Sequence, residues 1–128
     1  MQRKRRKLFD HVVLHVKDIE QSRKFYQAVV ETLGHTITAE AKEHFYIHEL
    51  EIRQDPETTK SVHIAFHAEN PGSVKLFHES ALRAGGICIG SPGQTKDLGA
   101  YSANVLDPDG NYVEAIFKGC QNSAFISY

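Results

Sequence analysis

A stretch of 28 residues occurs twice in this chain. Sliding the sequence against itself by 52 positions aligns Asp10–Ile37 with Val62–Ile89 without a gap. In that register His11 meets His63, His15 meets His67, Phe25 meets Phe77, Gly34 meets Gly86 and Ile37 meets Ile89. Five identities are a modest match alone. Both copies, however, also read as strand, polar N-cap, amphipathic helix, glycine stop and strand. A period near 50 residues marks a repeated supersecondary unit whose copies share one core.

In the first copy, Phe9–Val16 alternates as a strand, with Val12, Leu14 and Val16 on one face and His11, Val13 and His15 on the other. Asp18 is placed as an N-cap, with Gln21 three residues on completing a capping-box pattern. Ser22, Phe25, Tyr26, Val29, Val30 and Leu33 then form an apolar stripe at helical spacing, ended by Gly34. His35–Ala41 reads as a second strand, and Lys42–Glu43 as a turn. His44–Leu50 reads as a third strand, and the polar, proline-containing Glu51–Lys60 as a linker. The second copy runs Val62–Ala68, a helix capped by Asn70 with Pro71 at its first position, and a stripe of Val74, Phe77, Ala81 and Leu82 stopped by Gly85–Gly86. A short strand Ile87–Ile89 precedes a long loop Gly90–Gly99. Strands Tyr101–Leu106 and Tyr112–Phe117 then flank the tight turn Asp107-Pro108-Asp109-Gly110-Asn111.

These patterns predict an α+β fold, one domain over residues 1–128 built from modules of about 8–52 and 61–118. In each module the helix covers the apolar face of the strands, so the opposite faces line something else. His11, His15, His63, His67 and Glu114 lie there. Buried imidazoles and a buried carboxylate must be paired or ligated. Two imidazoles and a carboxylate converging from three strands make a three-ligand metal site with open positions. His15 and His67 also suit hydrogen-bonded support behind such ligands.

Composition narrows the alternatives. At 41% apolar and 24% charged residues the chain is globular rather than disordered. A net charge of −1 recruits neither nucleic acid nor an anionic membrane. The basic run Arg3–Lys7 lacks aromatic interleaving and reads as a solvated terminus. No apolar run approaches the roughly 20 residues of a membrane span. Two cysteines, Cys88 and Cys120, build no disulfide framework, and a cytoplasmic location is the expectation.

Together Asp10-His11-Val12-Val13-Leu14, Ser22-Arg23-Lys24-Phe25-Tyr26 leading to Leu33-Gly34, His63-Ile64-Ala65-Phe66, and Asp107-Pro108-Asp109-Gly110-Asn111-Tyr112-Val113-Glu114 resemble the vicinal-oxygen-chelate superfamily. That group includes glyoxalases, bleomycin-resistance proteins and extradiol dioxygenases. The resemblance runs from Phe9 to about Phe117. It implies two paired βαβββ modules forming a curved, partly open barrel-like sheet around a metal-binding cleft. It also implies a divalent ion (Zn, Ni, Mn or Fe) held by His11, His63 and Glu114. A fourth ligand would come from the last strand of the first module, where His48 and Tyr46 face the cavity and Glu49 does not. His15, His67, Tyr46, His48 and Tyr112 line the cavity in this reading, and Glu114, His67 and Tyr101 are the catalytic candidates. Tyr101 flanks the glycine-rich loop, a potential lid.

Three functions follow from the resemblance. The first is a glyoxalase-like lyase or isomerase acting on a small substrate with neighbouring oxygens. The second is an Fe(II) dioxygenase or thiol transferase, and the third a metal-free drug-sequestering protein. The intact ligand set argues against the third. The absence of an arginine set for glutathione carboxylates argues against lactoylglutathione lyase activity. A homodimer is the default assembly, with modules pairing within one chain or exchanged between two.

Overall fold

A computed structural model describes residues 6–96 and 99–119. Arg3–Arg5 of the basic run, Asp97–Leu98 of the predicted loop, and the tail from Cys120 lie outside the described residues.

Each module starts with a strand and a helix of the expected kind. In the first, β1 (Val12–Val16) leads to α1 (Ile19–Glu31), and Asp18 accepts hydrogen bonds from the backbone N–H groups of Glu20 and Gln21. In the second, β5 (His63–His67) leads to α2 (Pro71–Arg83), capped by Asn70 through the Ser73 N–H at 2.8 Å. Both helices are 13 residues long and are offset by the repeat interval of 52. Phe25, Tyr26, Val29 and Val30 of α1 and Val74, Phe77 and Ala81 of α2 are fully or almost fully buried. Each large apolar side chain removed from water contributes about 1.5–3 kcal/mol. Leu82, placed on the apolar stripe by its spacing, is exposed instead.

After α1 come β2 (Ala39–Glu40), β3 (His44–Ile47) and β4 (Leu50–Gln54), and after α2 come β6 (Ile87–Gln94), β7 (Tyr101–Leu106) and β8 (Tyr112–Phe117). The two four-stranded sheets have the same plan, β1-β4-β3-β2 and β5-β8-β7-β6. In each, the first strand pairs in parallel with the last, and the remaining pairs are antiparallel. This is βαβββ twice, an α+β fold of two paired modules whose sheets do not close into a barrel.

Residues 44–50 are not one strand: the chain reverses at His48-Glu49, so Ile47 sits opposite Leu50. Residues 51–54, read as linker, belong to the strand that pairs with β1. His48 takes φ +54°, the left-handed conformation a two-residue hairpin needs. Glycine or asparagine usually supplies it, so no turn residue announced the reversal. Likewise the loop expected over Gly90–Gly99 begins later. Strand β6 continues through two register shifts to Gln94, opposite Tyr101.

The modules meet through their helices and one turn. Gly86 shows how close the approach is. A Cβ there would stand 2.9 Å from the Phe25 ring of the other module and 2.9 Å from the Ala81 carbonyl oxygen. The Asp107–Asn111 turn does the rest. Asp107 accepts a 2.5 Å hydrogen bond from the buried Tyr26 hydroxyl, and Asp109 accepts from the Lys17 N–H. Asn111 accepts from the Val62 N–H and donates to the Thr59 carbonyl.

Burial above all, then the charge and hydrogen bond of Asp107, hold the Tyr26 phenol well above the ordinary tyrosine range. The folded state therefore resists losing a proton that the unfolded chain gives up near pH 10. Stability from this group is complete below about pH 10 and declines as pH rises beyond it. Tyr26→Phe is expected to cost about 2 kcal/mol at neutral pH, through the lost charge-assisted bond, and to flatten the alkaline decline. Urea melts at pH 7 and pH 11 check both effects.

Candidate metal centre

The helix-free faces carry most of the candidate site residues. On module 1, alternation puts His11, just before β1, together with Tyr46 and His44 of β3 and Glu51 and Arg53 of β4 on one side. Glu51 lies opposite Val13, two residues beyond His11. Its residue exposure is only 3%.

The two oxygens of Glu51 are divided. Oε2 accepts hydrogen bonds from Arg53 Nε at 2.8 Å and from His44 Nδ1 at 3.2 Å, and Arg53 Nη2 stands 2.8 Å away. Oε1 lies 3.7 Å from His11 Nε2. Burial raises the Glu51 carboxyl, but hydrogen bonds from Arg53, Tyr46 and His44 and the guanidinium charge outweigh it and hold the group below the ordinary glutamate value. Tyr46 is pushed up, first by burial and then by its bond to Glu51. On the other side of His11, Nδ1 is 2.9 Å from Asp10 Oδ2. A proton donated there leaves the Nε2 lone pair directed at the Glu51 side, a common arrangement behind metal-binding histidines.

Module 2 repeats the arrangement. Glu114 lies opposite Ala65, again two residues beyond the first-strand histidine, His63. His63 Nε2 and Glu114 Oε1 are 2.9 Å apart. Two ligand atoms each about 2.1 Å from one ion stand about 3.0 Å apart at a right angle and about 3.4 Å apart at a tetrahedral angle. Both His–Glu pairs are close to that spacing, and imidazole with carboxylate suits a divalent ion. The donor set fits.

The sequence missed Glu51, because it fell in the presumed linker. A signal existed: Leu50-Glu51-Ile52 is an acid between apolar residues, as is Val113-Glu114-Ala115. The other expected residues fall at distinct places. Tyr46 is directly opposite Glu51, and Tyr112 is opposite His63 with ring centroids 6.1 Å apart. His15 is bound through Nδ1 to Asp55 at 3.2 Å. His48 and His67 border a separate cavity of about 260 Å³ between the modules, walled by Val30, Ile47, Leu50 and Phe66. Tyr101 shares its side of β7 with buried Ala103 and Val105 and packs partly on the core, so it faces the helix and not Glu114.

Among the described residues, no three His, Cys, Asp or Glu side chains come together to hold an ion within the single chain. His11 with Glu51, and His63 with Glu114, stand as two separate imidazole–carboxylate pairs. The reason is topological. The helices and the turn join the modules, while β1 and β5 are edge strands of separate sheets.

Two mixed sheets of one plan, each presenting an imidazole and a carboxylate on its helix-free face, define a protein of paired βαβββ modules. The chain belongs to the Glyoxalase/Bleomycin resistance protein/Dioxygenase superfamily, whose model matches residues 8–115. It is thus a vicinal-oxygen-chelate protein. A glyoxalase/bleomycin resistance protein from Albidiferax ferrireducens is 28% identical with a TM-score of 0.77, over 87% of this chain and 98% of that one. A glyoxalase/bleomycin resistance protein/dioxygenase family enzyme from Burkholderia phytofirmans is 19% identical (TM-score 0.67, 84% and 96% covered). A glyoxalase I mutant from Zea mays is 20% identical (TM-score 0.63), with 84% of this chain and 43% of that one covered. The last two show the fold alone. No curated protein matches in sequence. Among the described residues no helix is long and apolar enough to cross a membrane.

Proposed function

We propose that this protein is a glyoxalase-like metalloenzyme of the isomerase or lyase type. In this reading a divalent ion is held by His11 and Glu51 of one copy and His63 and Glu114 of a second copy, in a homodimer. The substrate is a small molecule that binds through two adjacent oxygens. One observation carries the reading: each module sets a carboxylate beside the strand position two residues past its histidine.

The ion would supply positive charge against the negative charge that develops on a substrate oxygen. His11, Glu51, His63 and Glu114 would hold the ion, and two imidazoles with two carboxylates would suit Zn, Ni or Mn. The two-His, one-carboxylate set of an Fe(II) oxygenase has no place for Glu51. Glu51 therefore favours proton-transfer chemistry over dioxygenation. Glu51 and Glu114 serve as ligands, so the proton needs another carrier. His67, expected from the sequence to fill that role, lies roughly 13 Å along β5 from His63 and borders the separate cavity, so it does not serve as that carrier here.

Metal analysis of the purified protein tests this. About one ion per chain is expected, falling to near zero in His63→Ala, because the remaining imidazole and carboxylates hold an ion far more weakly. Full occupancy in that variant overturns the site. Oxygen-electrode traces should show no uptake with chelating substrates, and metal-dependent uptake would move the assignment to a dioxygenase.

A further inference from the structure

The two imidazole–carboxylate pairs are equivalent in position but not in what surrounds them. Around Glu114 the facing strand positions hold Ala65, Asn104 and Ile116, all neutral. Around Glu51 the corresponding positions hold Val13, Tyr46 and Arg53. Arg23 and Arg83 lie on helices, where Arg23 meets Glu20 and Glu40 and Arg83 meets Glu79. Arg53 is different. It stands on the same face as Glu51, two residues along β4, with its side chain 45% exposed.

Arg53 commits its Nε and Nη2 side to one oxygen of Glu51. A guanidinium has five N–H groups in a rigid fork, so this leaves donors for a second oxyanion. Charge points the same way. Glu51 and Glu114 would neutralise a divalent ion, Asp10 behind His11 is 91% exposed and screened by water, and Arg53 therefore leaves the inner side of the centre with one surplus positive charge. A neutral diol or hydroxyketone would leave that charge uncompensated in a partly buried site, whereas a monoanion would balance it. The Tyr46 hydroxyl and the His44 imidazole are both bonded to Glu51, and His44 also stands 3.5 Å from Arg53 Nη2, so the donors left on Arg53 are those turned away from Glu51.

We infer that Arg53 is the substrate-recognising residue of this centre, and that the substrate is a carboxylate carrying an oxygen on the adjacent carbon, a 2-oxo or 2-hydroxy acid. The inference rests on the metal site proposed above. Such a substrate would set its carboxylate against the Arg53 guanidinium, while its neighbouring oxygen would be left for the ion. Module 2 supplies the neutral wall for the rest of the molecule.

The test uses manganese-loaded protein and two probes of similar reach, the monoanion glycolate and the neutral dihydroxyacetone, titrated calorimetrically. A manganese titration comes first for each variant, and probe constants are compared at saturating manganese. Arg53→Gln is expected to weaken glycolate about 10- to 100-fold, the worth of a charge-assisted fork. Dihydroxyacetone should change less than about 3-fold, since it has no charge to lose. Arg53→Lys should fall between, because it keeps charge without the fork. Equal weakening of both probes would show that Arg53 only steadies Glu51, and an unchanged glycolate constant would show that it touches no substrate. Either result overturns the inference and leaves the metal site standing. Wild-type protein that takes up no manganese overturns the site and the inference together.

Discussion

Two defective chains, mixed, are expected to make one working site. The first carries His11→Ala and Glu51→Ala, the second His63→Ala and Glu114→Ala, and each alone should bind almost no manganese. In an exchanged dimer every site draws one half from each copy. A mixed dimer then holds one site with four ligands and one with none. After unfolding and refolding an equal mixture, roughly half the dimers are mixed, so about a quarter of the wild-type manganese should return. If the modules paired within a chain, every site would stay broken and nothing would return. The substitutions suit the purpose, because His11 and His63 are substantially exposed and Arg53, left without Glu51, keeps contact with water. Equilibrium dialysis of the parents and the mixture decides the matter.

The second large effect lies far from the ligands. Asp107→Ala is expected to destabilise the protein by about 3–5 kcal/mol, since it orphans a buried hydroxyl and strips two turn N–H groups of their acceptor. Asp107 takes the Tyr26 hydroxyl on one oxygen and the Asp109 and Asn111 N–H groups on the other. For a chain of this size the midpoint of thermal unfolding should drop by roughly 10–20 °C. Combining Asp107→Ala with Tyr26→Phe should cost less than the two separately, as the hydroxyl no longer needs a partner. Calorimetry of the four proteins measures the coupling. Strict additivity would mean that the bond contributes nothing to holding the modules together.

Much of this was legible before any coordinates. The repeat located both helices, and Asp18 and Asn70 marked their starts because short polar side chains satisfy the first free N–H groups. His11, His63 and Glu114 stood on the helix-free faces as alternation required. Strand β4 was not legible. The chain turns at His48-Glu49, where no glycine or asparagine marks a turn, and Leu50 and Ile52 follow Phe45 and Ile47 so closely that they read as one strand; the three-residue step from Ile47 to Leu50 was the only sign of the break. Losing β4 meant losing Glu51. Constant offset could not restore it, because β6 is longer than β2 and shifts the last strand of the second module. The division into separate pairs was also hidden, since it depends on which surfaces join the modules. Gly86 illustrates the difficulty. The repeat aligns it with Gly34, whose φ of +88° ends a helix, but Gly85 takes the left-handed role in module 2 and Gly86 makes room for Phe25.

The split duty of the Glu51 oxygens has a bearing on how an empty protein becomes a loaded one. With Oε2 fastened to Arg53 and His44, and the neighbouring imidazole steered by Asp10, module 1 waits in its final pose. In module 2 the imidazole of His63 shares a proton with Glu114 itself at 2.9 Å, so that proton must leave before the pair can accept anything else. In the proposed dimer, arrival of an ion would therefore be asymmetric: one half of the seam would serve as a landing place, and the other would give up a proton to complete it.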